Sequence, residues 1–510
     1  MLKTESYTKG IIYSTGLNII AKGLYFLNTL IIAFYFGAGA GTDIYFFVIS
    51  IAILITSGML NGIDAIILIP HAMKLRETEG ETASRGFVNF FILLYLLIGV
   101  LISLIAVLSP VMFYNTFSKF TADILEQHKY ILYAGGALIF FQLINNFLGA
   151  LLSSYKYFTV TILTSLITSL CSIFITIFFH KQLGIAGTLA AVAASYSINF
   201  LFLLGVMKLQ LHWQFTSFAV VKNKKLWGNI GLLQLNMLPV WLRNYFTLFL
   251  LSGLGVGIVA AVNLAQQAAG IIDALIITQV LAVAGIKFNE LYAKQNIAML
   301  NEFFIKVANF LLLILLPVVV IIFFYSDAVA ALIFKRGNMG ASSLNTVALC
   351  LQYLVLLSPL MLLNSICTRI FSAAQIVRQG LLYAISAHII FLLLAVILIQ
   401  WLQLKGYLYA MLAGYSVIIF FFYHLFKTRL SQINFAKVLI FGLQQLLINL
   451  IIAIPVFLVV KKLAGINYMV LLFVAAFIQV AVVFIINRKQ LHFSALTNFP
   501  GKVKNKNDAP

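Results

Sequence analysis

The sequence predicts an all-α polytopic membrane protein with about fourteen transmembrane helices. The 510 residues are 63% hydrophobic and only 9% charged, and the mean hydropathy is +1.07. A chain of soluble domains does not have this composition. Apolar runs of about 20 residues, the length that crosses a hydrocarbon core of about 30 Å, recur along the whole chain. Basic residues are also distributed unevenly between the segments that join these runs.

The apolar runs divide the chain into two six-helix halves and a final helix pair. The N-terminal half covers 1–209 and the C-terminal half covers 226–430, with a cytoplasmic loop at 210–225 between them. Helices 13 and 14 occupy 431–487, and a basic cytoplasmic tail covers 488–510. The fourteen runs lie near 10–36, 45–69, 87–113, 129–153, 157–179, 183–207, 226–252, 256–286, 303–325, 346–371, 379–401, 405–426, 438–460 and 466–487.

A weak internal repeat supports this duplication. Asn146 lies eight residues before Ser154 at the end of helix 4, and Asn364 lies eight residues before Ser372 at the end of helix 10, six helices later. Coincidence among similar apolar sequences is the alternative explanation. Six-helix duplication is nevertheless how many transporters are built around a site near the membrane midplane.

Lysine and arginine set the expected orientation, because positively charged loops resist translocation. With the N-terminus inside, 23 of the 33 basic residues fall in cytoplasmic segments and eight fall on the opposite side. Both termini are therefore expected in the cytoplasm. The formal charge of +20 is then mainly a topological signal, so nucleic acid is not expected as a partner.

Signatures of enzymes and of cofactor sites are mostly absent from the sequence. No Gly-x-x-x-x-Gly-Lys-Ser/Thr motif occurs, which argues against an ATP-driven pump. Cys171, Cys350 and Cys367 lie inside apolar runs without disulfide or metal spacing, and the seven histidines show no metal-ligand spacing either. We therefore expect no catalytic residue, no metal and no cofactor. Any transport would then be driven by a Na⁺ or H⁺ gradient or by the membrane potential.

Four charged side chains inside the apolar runs are the main functional candidates. They are Lys22 in helix 1, Asp64 in helix 2, Arg243 in helix 7 and Asp273 in helix 8. Each costs at least about 2.5–3.5 kcal/mol at a helix centre unless it faces a polar interior. Buried ion pairs would explain them structurally. We favour a water-filled cavity between the halves, because these are the first two helices of each repeat, and either aspartate is then a candidate coupling carboxylate.

Amide side chains on helix 8 indicate what such a cavity would bind. Asn263, Gln266 and Gln267 follow i, i+3, i+4 spacing, which predicts a common helix face. Amides hydrogen-bond sugar hydroxyls, while Lys22 and Arg243 offer donors to phosphate oxygens. An anionic, sugar-bearing substrate fits this lining.

Several motifs resemble a known family. They are Phe36-Gly-Ala-Gly39, Thr42-Asp43, Gly62, Pro70, Leu332-Ile-Phe-Lys-Arg-Gly337 and Ala341-Ser-Ser343. Together they are similar to the MurJ (MviN) lipid II flippases of the multidrug/oligosaccharidyl-lipid/polysaccharide (MOP) exporter superfamily, over about residues 10–430. The resemblance implies fourteen helices in the bacterial inner membrane with both ends inside. It also implies that helices 13 and 14 form a groove for a lipid tail.

The resemblance implies roles for single residues as well. Asp43 corresponds to the family's functional aspartate at the external end of helix 1, although capping of helix 2 would explain this residue too. Lys22 stands where the family has a cavity arginine, which keeps the charge but not the bidentate geometry. Arg243 has no assigned counterpart. Other family positions with charged or acidic residues carry uncharged residues here: Asn28, Thr29, Thr56, Asn61 and Gln267. Of these, we place Asn28, Asn61 and Gln267 in the cavity lining.

We therefore expect a flippase that moves an undecaprenyl-diphosphate-linked saccharide, lipid II or a related polysaccharide precursor, by alternating access. Its partners would be that lipid, membrane lipids and cell-envelope biosynthesis enzymes. One alternative is a multidrug and toxin extrusion antiporter of the same superfamily, against which two cavity cations argue. A second is a polysaccharide polymerase or ligase, which would need larger external loops than 111–128 and 326–345.

Overall fold

The computed structural model describes residues 7–60, 62–219, 223–273, 277–462 and 468–488, and these ranges contain helices and short connections but no β-strand. Asn61 and the tail beyond Arg488 lie outside the described residues. Within these ranges the α-helices are α1 Tyr7–Phe36, α2 Ala40–Leu60, α3 Ile69–Thr78, α4 Glu81–Leu108, α5 Pro110–Asn115, α6 Ala122–Gln127, α7 Lys129–Ser154, α8 Phe158–Gln210, α9 Lys224–Leu251, α10 Ile258–Ile272, α11 Thr278–Ala293, α12 Ile297–Phe324, α13 Ser326–Phe334, α14 Ala341–Leu354, α15 Leu357–Ala373, α16 Val377–Arg429, α17 Phe435–Lys462 and α18 Tyr468–Ile486.

Nine helical stretches of the described chain are long and apolar enough to cross a membrane. Two of them, α8 and α16, have 53 residues each and contain a break, at Gly184 with φ 57° and at Gln403 with φ 50°. The break at Gln403 falls between two predicted spans and the break at Gly184 falls at the second residue of the predicted span 183–207, so each long helix contains the residues of two spans. Shorter apolar helices lie at Met237–Leu251, Ile258–Ile271 and Leu472–Ile486. The all-α polytopic class is thereby confirmed, while the count of fourteen and the side on which the termini lie stay predictions.

Two runs that we predicted as single spans, 45–69 and 256–286, are interrupted. In the first, Gly62 has φ 80° and a π-helical turn follows at Asp64–Leu68, because glycine adopts a positive φ without steric cost. In the second, α10 ends at the residue before Asp273 and α11 begins at Thr278. These are the second helices of the two predicted repeats. Interruptions at matching positions of two repeats are typical of transporter sites.

The two halves pack against each other. We refer to α1–α8 as the N-terminal half and α9–α16 as the C-terminal half. One apolar cluster joins them, in which Phe47 of α2 and Val259 and Leu264 of α10 are fully buried. The halves also meet along α2 and α9, where Trp241 Nε1 donates a hydrogen bond to the Leu54 carbonyl oxygen at 3.2 Å. This packing positions the polar cavities described below.

The last two helices are joined by a buried amide network. Gln445 Nε2 donates to Asn487 Oδ1 at 2.8 Å, and Asn487 Nδ2 donates back to Gln445 Oε1 at 3.1 Å. One helical turn away, Gln479 Nε2 donates to Asn449 Oδ1 at 3.0 Å. All four side chains are buried. In hydrocarbon the alternative to these bonds is an unpaired amide, so the network fixes the register of α17 against α18.

We expect Gln445→Leu to lower the free energy of unfolding by about 1 kcal/mol, because the Asn487 amide loses its partner in an apolar environment. The double variant with Asn487→Leu should recover part of this loss, since no unpaired amide is left. Thermal unfolding of the detergent-purified protein in a double-mutant cycle measures the coupling. Leu447→Ala, at a 59% exposed position of α17, is the control. Strictly additive effects would show that the amides are not coupled.

Candidate functional site

A polar cavity lies inside the N-terminal half. It has a volume of about 520 Å³ and is enclosed by α1, α2, α7 and α8. Tyrosine, serine and threonine hydroxyls supply part of its wall. Side-chain amides supply another part: Asn18, Asn28, Gln142, Asn145, Asn146 and Asn199. We call this space the N-terminal cavity.

Lys22 provides the only charge among the described residues that line the N-terminal cavity. It lies 14 residues before Phe36, the last residue of α1, which is about 21 Å at 1.5 Å per residue. Neither aspartate nor glutamate occurs among the described residues that line the space. A lone ammonium group among amides and hydroxyls attracts an anion, and it leaves the neutral groups to bond other polar parts of the same ligand.

The cavity amides are held in fixed orientations by the surrounding helices. Asn28 Oδ1 accepts a hydrogen bond from Ser172 Oγ at 3.0 Å. Asn145 Nδ2 donates to the Tyr196 carbonyl oxygen at 2.7 Å. Asn199 Nδ2 donates to two groups of α8, the Thr164 carbonyl oxygen at 3.0 Å and Thr168 Oγ1 at 2.9 Å. Because these bonds join different helices, or the two parts of α8 on either side of Gly184, the polar wall is preorganised.

A second, smaller cavity lies inside the C-terminal half and contains Arg243. Its volume is about 130 Å³, and α9, α10 and α16 line it. We call it the C-terminal cavity. Gln266 and His388 are among its lining residues. In this structure Lys22 and Arg243 therefore line separate cavities, and a single cavity lined by both stays a prediction. The halves pack against each other along α2 and α9, and each cation lines a space within its own half.

The three predicted amides of α10 face different surroundings. Gln266 lines the C-terminal cavity. Gln267 Nε2 reaches across to the N-terminal half and donates to the Tyr25 hydroxyl at 3.2 Å. Asn263 Nδ2 donates to the Val259 carbonyl oxygen of its own helix at 2.9 Å. Adjacent residues of a helix point about 100° apart, so Gln266 and Gln267 serve the two halves separately.

Asp43 makes the most specific contact between the halves. Its carboxylate accepts hydrogen bonds from the backbone N–H groups of Gly257 at 2.5 Å and Ala260 at 2.7 Å, at the start of α10. The side chain is only 1% exposed. The considered alternative of a cap for its own helix is therefore corrected, because Asp43 caps α10 of the opposite half. A carboxylate at a helix N-terminus satisfies free N–H groups and interacts favourably with the helix dipole.

The two motifs that carry the family resemblance meet at this point. Asn338 donates through its backbone N–H to the Phe34 carbonyl oxygen at 2.8 Å and through Nδ2 to the Tyr35 carbonyl oxygen at 2.6 Å. Ser343 Oγ donates to the Ala38 carbonyl oxygen at 3.2 Å. We call the contacts of Asp43, Ser343, Asn338 and three positive-φ glycines, Gly37, Gly257 and Gly337, the external clamp, since this end of α1 is predicted to be external.

The remaining predicted residues lie at the helix interruptions. Asp64 begins the π-helical turn and is half-buried. Asp273 is half-buried at the end of α10 and hydrogen-bonds Ser358. Neither lines the two cavities described above. Asn61 lies outside the described residues. No group of three or more His, Cys, Asp or Glu side chains with metal-binding geometry occurs in the part of the chain that the structure describes.

Sequence reasoning missed several residues of these sites. His388 is one of seven scattered histidines, and only the packing of α9 against α16 brings it to Arg243. Gln142, Asn145 and Asn199 lie on helices that carry no charged residue at membrane depth. Asn338 directly follows the Lys-Arg-Gly segment, so the motif signal could have identified it. The cavity amides had no comparable signal, because isolated amides are common in transmembrane helices.

This fold and these cavities define a polytopic membrane transporter: two packed helical halves, a polar cavity at membrane depth and a clamp that closes one end. A family model described as lipid II flippase MurJ matches residues 32–479. The chain therefore belongs to the MurJ lipid II flippase family, as the motifs predicted, and it is a multi-pass protein of the bacterial inner membrane.

Individual relatives agree with this family assignment. The probable lipid II flippase MurJ of Buchnera aphidicola subsp. Baizongia pistaciae (strain Bp) is 22% identical over 310 residues. That alignment covers 58% of this chain and 59% of the relative, so it spans less than two thirds of either protein.

Solved structures share the fold. A lipid II flippase MurJ in an inward closed conformation matches with a TM-score of 0.72 and 16% identity, over 94% of this chain and 99% of that chain. An inward-facing multidrug resistance MATE family transporter of the MOP superfamily matches with a TM-score of 0.62 and 17% identity, over 82% and 95% of the two chains. An outward-facing form matches at 0.58, with 17% identity over 84% and 96%. The predicted MOP-type fold is confirmed.

We expect Gly337→Ala to loosen the external clamp. Gly337 has φ 64°, and an added Cβ would overlap the Phe34 carbonyl oxygen of the opposite half, so the contact can form only if backbone moves. The reporter is Thr42→Cys, at the residue before Asp43 of the clamp, where the native side chain is 2% exposed. The three native cysteines are removed from the background protein. Labelling of this cysteine by a membrane-impermeant maleimide should rise several-fold.

Gly340→Ala is the matched control for this experiment. Gly340 lies in the same loop, has an ordinary negative φ of −67°, and a Cβ there would meet no atom within 4 Å. Its labelling should equal that of the unmodified clamp. Equal labelling of the two alanine variants would show that the glycine contact does not hold the external end closed.

Proposed function

We propose that this protein moves an undecaprenyl-diphosphate-linked saccharide, lipid II or a related polysaccharide precursor, from the cytoplasmic to the periplasmic leaflet by alternating access. The observation that carries the proposal is the N-terminal cavity, where one lysine stands among amides and hydroxyls with no carboxylate in the described lining. Membership of the MurJ family supports a lipid-linked substrate. The headgroup would cross through this cavity while the polyprenyl chain stays in the bilayer.

The cavity chemistry suits the two parts of such a headgroup. Lys22 would bind the diphosphate as a point charge with three donors. The fixed amides of Asn28, Asn145 and Asn199, together with neighbouring hydroxyls, would bond the sugar. Arg243 lines the other cavity, so in this conformation Lys22 would be the cation that meets the headgroup. Joint binding of the diphosphate by both cations stays a prediction for another conformation.

Transport would require the external clamp to open and the halves to rock. A carboxylate at a helix N-terminus gains up to about 2 kcal/mol from the helix dipole. Moving one elementary charge through 100 mV of membrane potential is worth about 2.3 kcal/mol, so a single coupled charge can offset the dipole part of the Asp43 contact. Asp64 and Asp273, which lie where the second helix of each half is interrupted, are the proposed coupling carboxylates for Na⁺ or H⁺.

The helix pair α17 and α18 would accommodate the lipid chain. α17 packs against α12 and α18 and leaves apolar side chains exposed along its length, among them Leu443, Leu447 and Ile451. The amide network fixes the two helices to each other without using these side chains. Cell-envelope biosynthesis enzymes, which make and consume such lipids, are the proposed protein partners.

A multidrug exporter is the second candidate, because MATE transporters share the fold with TM-scores of 0.62 and 0.58. A carboxylate near the substrate favours binding of an organic cation, while a nearby ammonium group opposes it. The described lining of the N-terminal cavity presents a lysine and no carboxylate. Its electrostatics therefore favour an anionic substrate.

We expect depletion of the protein to leave a lipid-linked saccharide on the cytoplasmic face. Periplasmic exposure of radiolabelled lipid-linked precursors, measured in cells with an enzyme that reaches only the outer leaflet, should fall several-fold. The precursor that accumulates identifies the headgroup, which distinguishes lipid II from another polysaccharide intermediate. Normal exposure of every lipid-linked precursor, together with sensitivity of the depleted strain to organic cations, would favour the exporter instead.

Lys22→Ala should abolish complementation of the depleted strain at unchanged protein level, because the described lining of the cavity loses its only charge. Lys22→Arg should restore most of the function, since the positive charge and the donors return. Complementation and membrane abundance are measured together. Full activity of Lys22→Ala would contradict the assigned role, and loss of the folded protein in both variants would instead favour a structural role for the lysine.

A further inference from the structure

The C-terminal cavity contains a cation at membrane depth that the proposed headgroup pathway does not use. Arg243 lies in the apolar stretch Met237–Leu251 of α9. It is eight residues from Leu251, or about 12 Å along the helix. An arginine at such a depth costs at least about 2.5–3.5 kcal/mol unless polar groups or an opposite charge surround it.

No carboxylate balances this charge among the described residues. The five ion pairs of the described chain involve other side chains, and neither Asp nor Glu lines the cavity. Arg243 Nε and Nη2 both donate to Asn244 Oδ1, at 3.2 Å and 2.9 Å, and Nη1 lies 3.5 Å from His388 Nδ1. A guanidinium has five N–H donors, so these contacts leave donors unused.

The other lining groups add donors around the guanidinium. Because an arginine cannot accept a hydrogen bond, Nδ1 of His388 acts as the acceptor in that contact, and the ring proton is assigned to Nε2. Thr247, Gln266, Tyr407 and Tyr415 bring hydroxyl and amide groups to the same space. The described lining therefore offers several hydrogen-bond donors and no negatively charged acceptor.

We propose that the C-terminal cavity binds a small inorganic anion, of the chloride or phosphate type, on Arg243. A water needs about 10–15 Å³ of such volume, so about 130 Å³ accommodates a small anion with a few waters. It does not accommodate a diphosphate that carries sugars. The anion would neutralise Arg243 and connect α9 to α16 through Arg243 and His388. It is a site separate from the N-terminal cavity.

An anion on Arg243 would lie between three helical segments of the C-terminal half. α9 is the helix that meets α2 of the N-terminal half, with Trp241 two residues before Arg243. His388 lies in the first part of α16, before the break at Gln403, and Tyr407 and Tyr415 lie in the second part. A ligand between these groups joins three helical segments of the C-terminal half, so its binding should stabilise the folded protein.

The test is thermal unfolding of the full-length protein in detergent, with chloride titrated against gluconate at constant Na⁺ concentration. We expect Tm to rise by a few °C with saturation in chloride. Inorganic phosphate should produce the same saturable rise. The rise should be lost in Arg243→Gln, weakened in Arg243→Lys, and kept in Lys22→Gln, which changes the cation of the other cavity.

A direct binding measurement covers the case in which Arg243→Gln does not fold. Equilibrium binding of ³⁶Cl⁻ to the wild-type protein should show one saturable site per chain that inorganic phosphate displaces. Absence of saturable binding would overturn the proposal and leave Arg243 as a hydrated cation. Loss of binding in Lys22→Gln would also overturn it. Displacement by the lipid-linked saccharide, but not by inorganic phosphate, would show that the anion recognised is the lipid diphosphate.

Discussion

The Asp43 carboxylate on the N-terminus of α10 is the interaction on which the observed arrangement of the halves depends. The side chain belongs to α2 of one half and satisfies backbone donors of the other. It is almost completely buried, so water does not compete for these donors. Glycines at Gly37, Gly257 and Gly337 allow the backbones to approach closely enough for this contact. A single carboxyl group thereby joins the two halves at this end of the cavity system.

Each half has its own polar cavity at membrane depth, and each cavity contains one cation in its described lining. The N-terminal cavity combines one lysine with many neutral groups, while the smaller C-terminal cavity surrounds an arginine with donors. Each arrangement reduces the cost of a cation in hydrocarbon, because polar neighbours replace part of its hydration. The consequence is that Lys22 and Arg243, which look equivalent in the sequence, have different surroundings and different proposed ligands.

The helix interruptions provide places where the structure can bend. Gly62 and the π-helical turn that follows it break the second span, and α10 ends where Asp273 becomes π-helical. Long helices bend at such points because a main-chain hydrogen bond is missing or displaced. The contacts between the halves at the external clamp and along α2 and α9 lie on the N-terminal side of these interruptions. Rocking therefore does not require the packed segments themselves to deform.

The sequence by itself determined the class of fold, the family and the residues that carry charge into the membrane. Apolar runs of fixed length can only become transmembrane helices, because every backbone group must be hydrogen-bonded within its own segment. The motifs at Phe36–Asp43 and Leu332–Ser343 also identified the family correctly. Both signals are local, so they need no knowledge of helix packing.

Only the tertiary structure decided which side chains share a cavity. Gln266 and Gln267 are adjacent in sequence and face different halves, while His388 and Arg243 are 145 residues apart and lie 3.5 Å from each other. The partner of Asp43 was likewise hidden, since a carboxylate near one helix start can cap another helix. Such pairings depend on how helices rotate and cross, and the apolar surfaces that fix this packing are too uniform in sequence to reveal it.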